Sequence, residues 1–176
     1  MKIGGDQMTT EFMRDLLSKD EKITVEYKTC QFGIQEDVYE TVCSFSNRYG
    51  GYIIMGAEDD GTPIGVKQNM VKDMKRNFVN QLNNPDKMSP TLYLSIEDFE
   101  YEGKVLLWVY VPPTATVEKC GNRIYDRNED GDMDITDSPI QLQNMYNRKS
   151  TTYAEHKIFP YVTKDDLRLD LMDKVR

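Results

Sequence analysis

The sequence predicts an α+β domain, one mixed β-sheet flanked by helices, and three observations predict it. Segments of strand period (Ile23–Lys28, Lys104–Val111) are interleaved with segments of helical period (Gln35–Tyr49, Asn69–Asn84). The continuous apolar run Tyr52–Ala57 has the character of a central strand covered on both faces. The order of elements is helix, strand, helix, strands, helix, then three strands, which belongs to the α+β class.

Each element has a local reason. Thr9 or Thr10 can cap a short helix over Thr9–Lys19, with Phe12, Met13, Leu16 and Leu17 at one-face spacing. Ile23, Val25 and Tyr27 alternate with Thr24, Glu26 and Lys28, the period of a strand. Val38, Val42, Phe45 and Tyr49 form the apolar stripe of the next helix, which Gly50-Gly51 stops. After Tyr52–Ala57, the segment Asp59-Asp60-Gly61-Thr62-Pro63 is a turn, and Ile64–Val66 returns as a short strand. Asn69–Asn84 is a helix with Met70, Met74, Phe78 and Leu82 inward. Thr91–Glu100 and Lys104–Val111 form a hairpin through Tyr101-Glu102-Gly103. Arg123–Arg127 is a strand, followed by an acidic loop, a helix over Pro139–Arg148 and a docking helix over Lys164–Val175. The expected organisation is a helix in residues 1–20, the domain in 21–149, and an extension in 150–176 that packs on the domain or leads elsewhere.

Composition narrows the function. The 176 residues carry 22 Lys+Arg against 30 Asp+Glu, a formal net charge of −8. A protein that coats DNA electrostatically needs the opposite balance, so nucleic acid could be held only by a local basic face or through metal ions. The longest uncharged apolar run, Val105–Val111, is far shorter than a membrane span, and Met1–Lys19 mixes charged with apolar residues. A cytoplasmic protein with no membrane partner is the expectation. Cys30, Cys43 and Cys120 form no CxxC pair, which argues against a disulfide framework or a zinc site.

Three constellations could carry chemistry. Glu26 and Lys28 share one face of their strand, with Glu21 before them and Glu58-Asp59-Asp60 after the next strand. Carboxylates beside a lysine at strand ends suit a divalent ion, Mg²⁺ or Mn²⁺, that polarises a phosphodiester. The plain alternative is a solvated Glu–Lys pair and an acidic turn. In Asp126–Asp137, the residues Asp126, Asn128, Asp130, Asp132, Asp134 and Asp137 have the spacing of a calcium-binding loop, and Gly131 allows its sharp turn. An acidic turn between strand and helix is the alternative there. Lys67, Lys72, Lys75, Arg76, Arg123 and Arg127, with Arg148 and Lys149, could form the basic face; a solvated surface is the competing reading.

The stretch from Asp37 to Val66 carries a resemblance. Glu26-Tyr27-Lys28, Ser44-Phe45-Ser46-Asn47-Arg48-Tyr49-Gly50-Gly51, Tyr52–Ala57, Glu58-Asp59-Asp60-Gly61 and Gly65-Val66 together resemble the Schlafen-type Alba-like domain (AlbA_2), formerly labelled divergent AAA. The resemblance implies a mixed sheet flanked by helices and nucleic-acid binding, DNA or RNA, in a transcriptional-regulator-type protein. In the animal branch three acidic residues cleave RNA. Carried over, they fall on Glu21, Glu26 and Glu58, the last where that branch has Asp, with Lys28 assisting. A metal-dependent endoribonuclease is therefore the rival function, and a homodimeric interaction module without catalysis the third. No GxxxxGK[ST] motif is present, so no ATP use is expected.

Overall fold

The computed structural model describes residues 8–18 and 23–155. Glu21, His156 and the segment Lys164–Val175 lie outside the described residues.

Helix α1 (Thr10–Leu17) begins at Thr9, whose hydroxyl accepts the Phe12 N–H at 3.1 Å. Strand β1 (Val25–Lys28) leads to helix α2 (Glu36–Asn47) and strand β2 (Gly51–Met55). A 3-10 turn at Gln68–Met70 precedes helix α3 (Val71–Leu82) and strand β3 (Met88–Ser89). Strands β4 (Ile96–Tyr101) and β5 (Lys104–Val111) follow as a hairpin. Glu102 and Gly103, at φ 50° and 71°, make its two-residue turn, which matches the right-handed twist of the strands. Strands β6 (Lys119–Cys120), β7 (Tyr125–Asn128) and β8 (Gly131–Asp134) precede helix α4 (Pro139–Glu155).

The main sheet has the order β1-β2-β5-β4, with β1 and β2 parallel and the other pairs antiparallel. It is the mixed sheet expected, and two small ladders, β3-β6 and β7-β8, are added to it. Strand alternation divides the core. Ile53, Met55, Leu107, Val109 and Val111 meet Val42 and Phe45 of α2 and Met74 and Phe78 of α3 on one face. Val25, Tyr27, Ile54 and Leu106 meet Met13, Leu16 and Leu17 of α1 on the other. The Tyr27 hydroxyl donates to the Leu16 carbonyl at 2.5 Å and fixes α1 to β1. Ile124, Ile135 and Met145 make a third cluster that seats α4.

The structure departs from expectation at four places. Ile64–Val66 is no strand: Ile64 and Gly65 donate to the Gly56 carbonyl, and one bridge joins Ala57 to Pro63. Residues 91–95 lie outside the β4 ladder, which starts at Ile96. Tyr49 is 55% exposed because α2 ends at Asn47, before the stripe reaches it. Finally, the acidic loop after β7 is itself the β7–β8 hairpin.

Candidate functional site

The parallel pair β1–β2 with its α2 crossover opens a crevice beyond the carboxyl ends of its strands, the usual place for ligands in such units. The Lys28 carbonyl, at the end of β1, accepts N–H groups from Gly56 at 2.7 Å and Ala57 at 3.3 Å, which brings the end of β2 alongside. A cleft of about 270 Å³ there is lined by Glu26, Lys28, Thr29, Gln35, Asp37 and Asp59. Glu58 is exposed and lines the adjoining hollow with Thr29, Asp59 and Asp60. The acid that joins Glu26 and Lys28 in the cleft is thus Asp59, one residue beyond the expected Glu58. Asp37, from the first turn of α2, was also missed, although it opens the motif-bearing stretch.

Alternation puts Val25 and Tyr27 under α1, and Glu26 and Lys28 on the α2 side. Lys28 Nζ lies 2.9 Å from Glu26 Oε1 and 2.8 Å from Asp37 Oδ2. Burial works against the Lys28 charge, but hydrogen bonds and attraction from Asp37 and Glu26 prevail and raise its pKa above the ordinary lysine range. The other Glu26 oxygen accepts from Arg127 Nη2. Both Glu26 oxygens thus face cations, while Glu58 lies in the adjoining hollow and Glu21, the third acid of the expected divalent-ion set, is outside the described residues. Among the described residues, no group of three or more His, Cys, Asp or Glu is placed to hold a metal ion.

Arg127 corrects the basic-face expectation. It is 3% exposed, with Glu26 on Nη2, Asp132 on Nη1 at 2.6 Å, and the Phe45 ring 4.7 Å from its guanidinium carbon. A buried cation held this way cannot reach a phosphate. The calcium-type spacing is corrected too, because a hairpin turns successive side chains to opposite faces. Asp126 faces Arg48 and Arg148 at 3.3 and 3.1 Å. Asp132, on β8, accepts from Arg127, Thr41 and Ser44. Asp134 holds Arg123 at 2.6 Å, and Asn128 accepts the Asp130 N–H at the turn. Asp130 and Asp137 are exposed. The six side chains therefore do not converge on one point.

The basic residues of α3 are largely spoken for. Lys75 pairs with Asp98 of β4 at 2.6 Å, and Arg76 with Asp73 at 2.8 Å. Lys72 is exposed. Lys67 lies elsewhere: its backbone N–H donates to the Gln31 carbonyl at 2.9 Å, pinning the β1–α2 loop. Its ammonium stands 5.6 Å from the centre of the Phe32 ring, and Phe32 is 67% exposed. Phe32 lines both a hollow of about 610 Å³ beside Thr29 and Glu58 and a groove of about 390 Å³ toward α3. An aromatic ring held open to solvent with a cation against it can stack on a planar ligand and face an anion together. The missed signal was a lone Phe in the polar loop Gln31-Phe32-Gly33.

Residues 10–136, which contain α1, the main sheet and the crevice, match the Schlafen, AlbA_2 family. The chain belongs to that family. Its Glu26–Lys28 pair, Asn47 and Gly50-Gly51 occupy the positions on which the sequence resemblance rested. The N-terminal domain of a RecG-related protein from Nitrosomonas europaea is similar at 25% identity over 59% of this chain and 72% of that one, with a TM-score of 0.46. The DIP2311 protein from Corynebacterium diphtheriae is similar in fold at 17% identity over 69% of this chain, with a TM-score of 0.50. This chain spans 28% of that protein. No curated protein matches the chain. No helix among the described residues of this Schlafen domain is long and apolar enough to cross a membrane.

Proposed function

We propose that this Schlafen AlbA_2 domain binds nucleic acid through the Phe32–Lys67 rim of the crevice, as the recognition part of a regulator-type protein. The carrying observation is the exposed Phe32 ring with the Lys67 ammonium 5.6 Å away. Stacking supplies affinity that does not depend on net positive charge, which suits a chain of net charge −8. Lys67 supplies the local cation for a neighbouring phosphate, and exposed Lys72 at the start of α3 adds a second.

The test is an anisotropy titration of the full chain with labelled single- and double-stranded oligonucleotides across a salt series. Phe32→Ala is expected to weaken single-strand binding by about 1–3 kcal/mol, and Lys67→Ala to reduce the salt slope by about one. Absence of binding at low salt, or indifference to both substitutions, overturns the reading. Cleavage of transfer RNA with Mg²⁺ or Mn²⁺ that is lost in Glu26→Gln would replace it with the endoribonuclease.

A further inference from the structure

The groove on the far side of Phe32 carries two neutral side-chain amides beside its acids. Its volume of about 390 Å³ is walled by Phe32, Glu36 and Tyr39 on one side and by Asp73, Asn77 and Gln81 of α3 on the other. That volume lies within the usual range of small-ligand sites, roughly 300–1,000 Å³. Asn77 and Gln81 are four residues apart, so their side chains stand one above the other on the same helix face. Among the described residues, neither side-chain amide has a hydrogen-bond partner. The charges beside them are already matched: Glu36 pairs with Lys87, and Asp73 with Arg76. Tyr39 is held by stacking on Phe78, centres 5.9 Å apart, and by Lys87 over its ring at 5.0 Å. Burial raises the Tyr39 hydroxyl to about 12, so it stays protonated and can donate.

A carboxamide offers a carbonyl acceptor beside an amino donor. The adenine edge carries the complement, an exocyclic amino group next to a ring nitrogen, and side-chain amides pair with it in two hydrogen bonds. An exposed ring at the mouth provides a surface on which a flat purine can lie. We propose that this groove receives one unstacked adenine from a bound single strand, read by Asn77 and Gln81 and stacked on Phe32. The inference rests on the nucleic-acid reading above and names the base which that site selects.

Anisotropy titrations of the full chain with oligo(dA), oligo(dC) and oligo(dT) test it. Wild type is expected to prefer oligo(dA). The exposed-side double variant Asn77→Ala/Gln81→Ala is expected to lose roughly tenfold in affinity for oligo(dA), with oligo(dC) and oligo(dT) little changed. An unchanged thermal melt shows that the variant keeps its fold. Binding that is salt-sensitive and Phe32-dependent, yet equal for all bases or unaltered by the double substitution, overturns the groove assignment alone. Failure of every oligonucleotide to bind overturns the parent reading as well.

Discussion

Arg127 joins β7 to β1 and β8 through one side chain. Its two terminal nitrogens meet Glu26 and Asp132 from separate strands, while Phe45 of α2 covers the guanidinium. Removing it takes the guanidinium from Glu26, which is buried, and from Asp132, which is half-buried, and leaves Phe45 without its cover. Arg127→Leu is expected to lose about 3–5 kcal/mol of unfolding free energy in a urea titration. Arg127→Lys should recover little, because a point charge cannot span both acids. If Leu is tolerated, the ion-pair bridge is not what holds the hairpin to the sheet. Lys149 makes a different case. It is buried and donates to the Ser46 and Thr114 carbonyls, both at 2.9 Å, and its pKa is lowered to about 8, chiefly by burial. Between pH 8 and 10.5 the unfolded chain keeps a proton that the folded chain has released, so this group's contribution to stability rises with pH across that window. The unfolding free energy of wild type minus that of Lys149→Met is therefore expected to increase between about pH 7 and about pH 9.5. A flat difference would show that Lys149 titrates normally.

At the scale of elements, the junction of α2 with β2 sets the crevice. Asn47, at the helix end, donates to the Glu118 and Tyr125 carbonyls at 2.9 Å and accepts the Glu118 N–H at 2.8 Å, which ties α2 to the β6–β7 segment. Gly50 has φ 74°, and a Cβ on Gly51 would stand 2.6 Å from the Thr24 carbonyl oxygen and 2.8 Å from the Phe45 ring. Gly51→Ala is expected to cost about 1–3 kcal/mol by overpacking, read as a lower melting temperature; an unchanged melt would mean that β1 can give way. These glycines were legible as punctuation, and helices and strands with an apolar period were legible as well. The β7–β8 hairpin was not. Its second strand, Gly-Asp-Met-Asp, has no apolar alternation, and it is held by Asp132 reaching Thr41, Ser44 and Arg127. Partners that distant leave no trace in a local window. For the same reason the Glu26–Lys28 pair was found in sequence but its commitment to Arg127 was not, and Phe32 gained meaning only once Lys67 was seen over it.

Considered whole, the molecule carries its surplus negative charge in patches. Acidic residues gather at the crevice, on the hairpin and along β4, while Phe32, with Lys67 over its ring, lines a hollow shared with Thr29 and Glu58. The sheet is also assembled from distant pieces, since β5 enters between β2 and β4 and pairs with both. That arrangement leaves β4 as an outer strand whose backbone has no partner on its far side among the described residues. Such a strand can template the addition of strands from other chains. Here it carries Glu97, Asp98 and Glu100, all exposed, so two copies meeting along this border would set like charges side by side. An acidic border of this kind disfavours edge-to-edge pairing of β4 with a second strand of the same sequence.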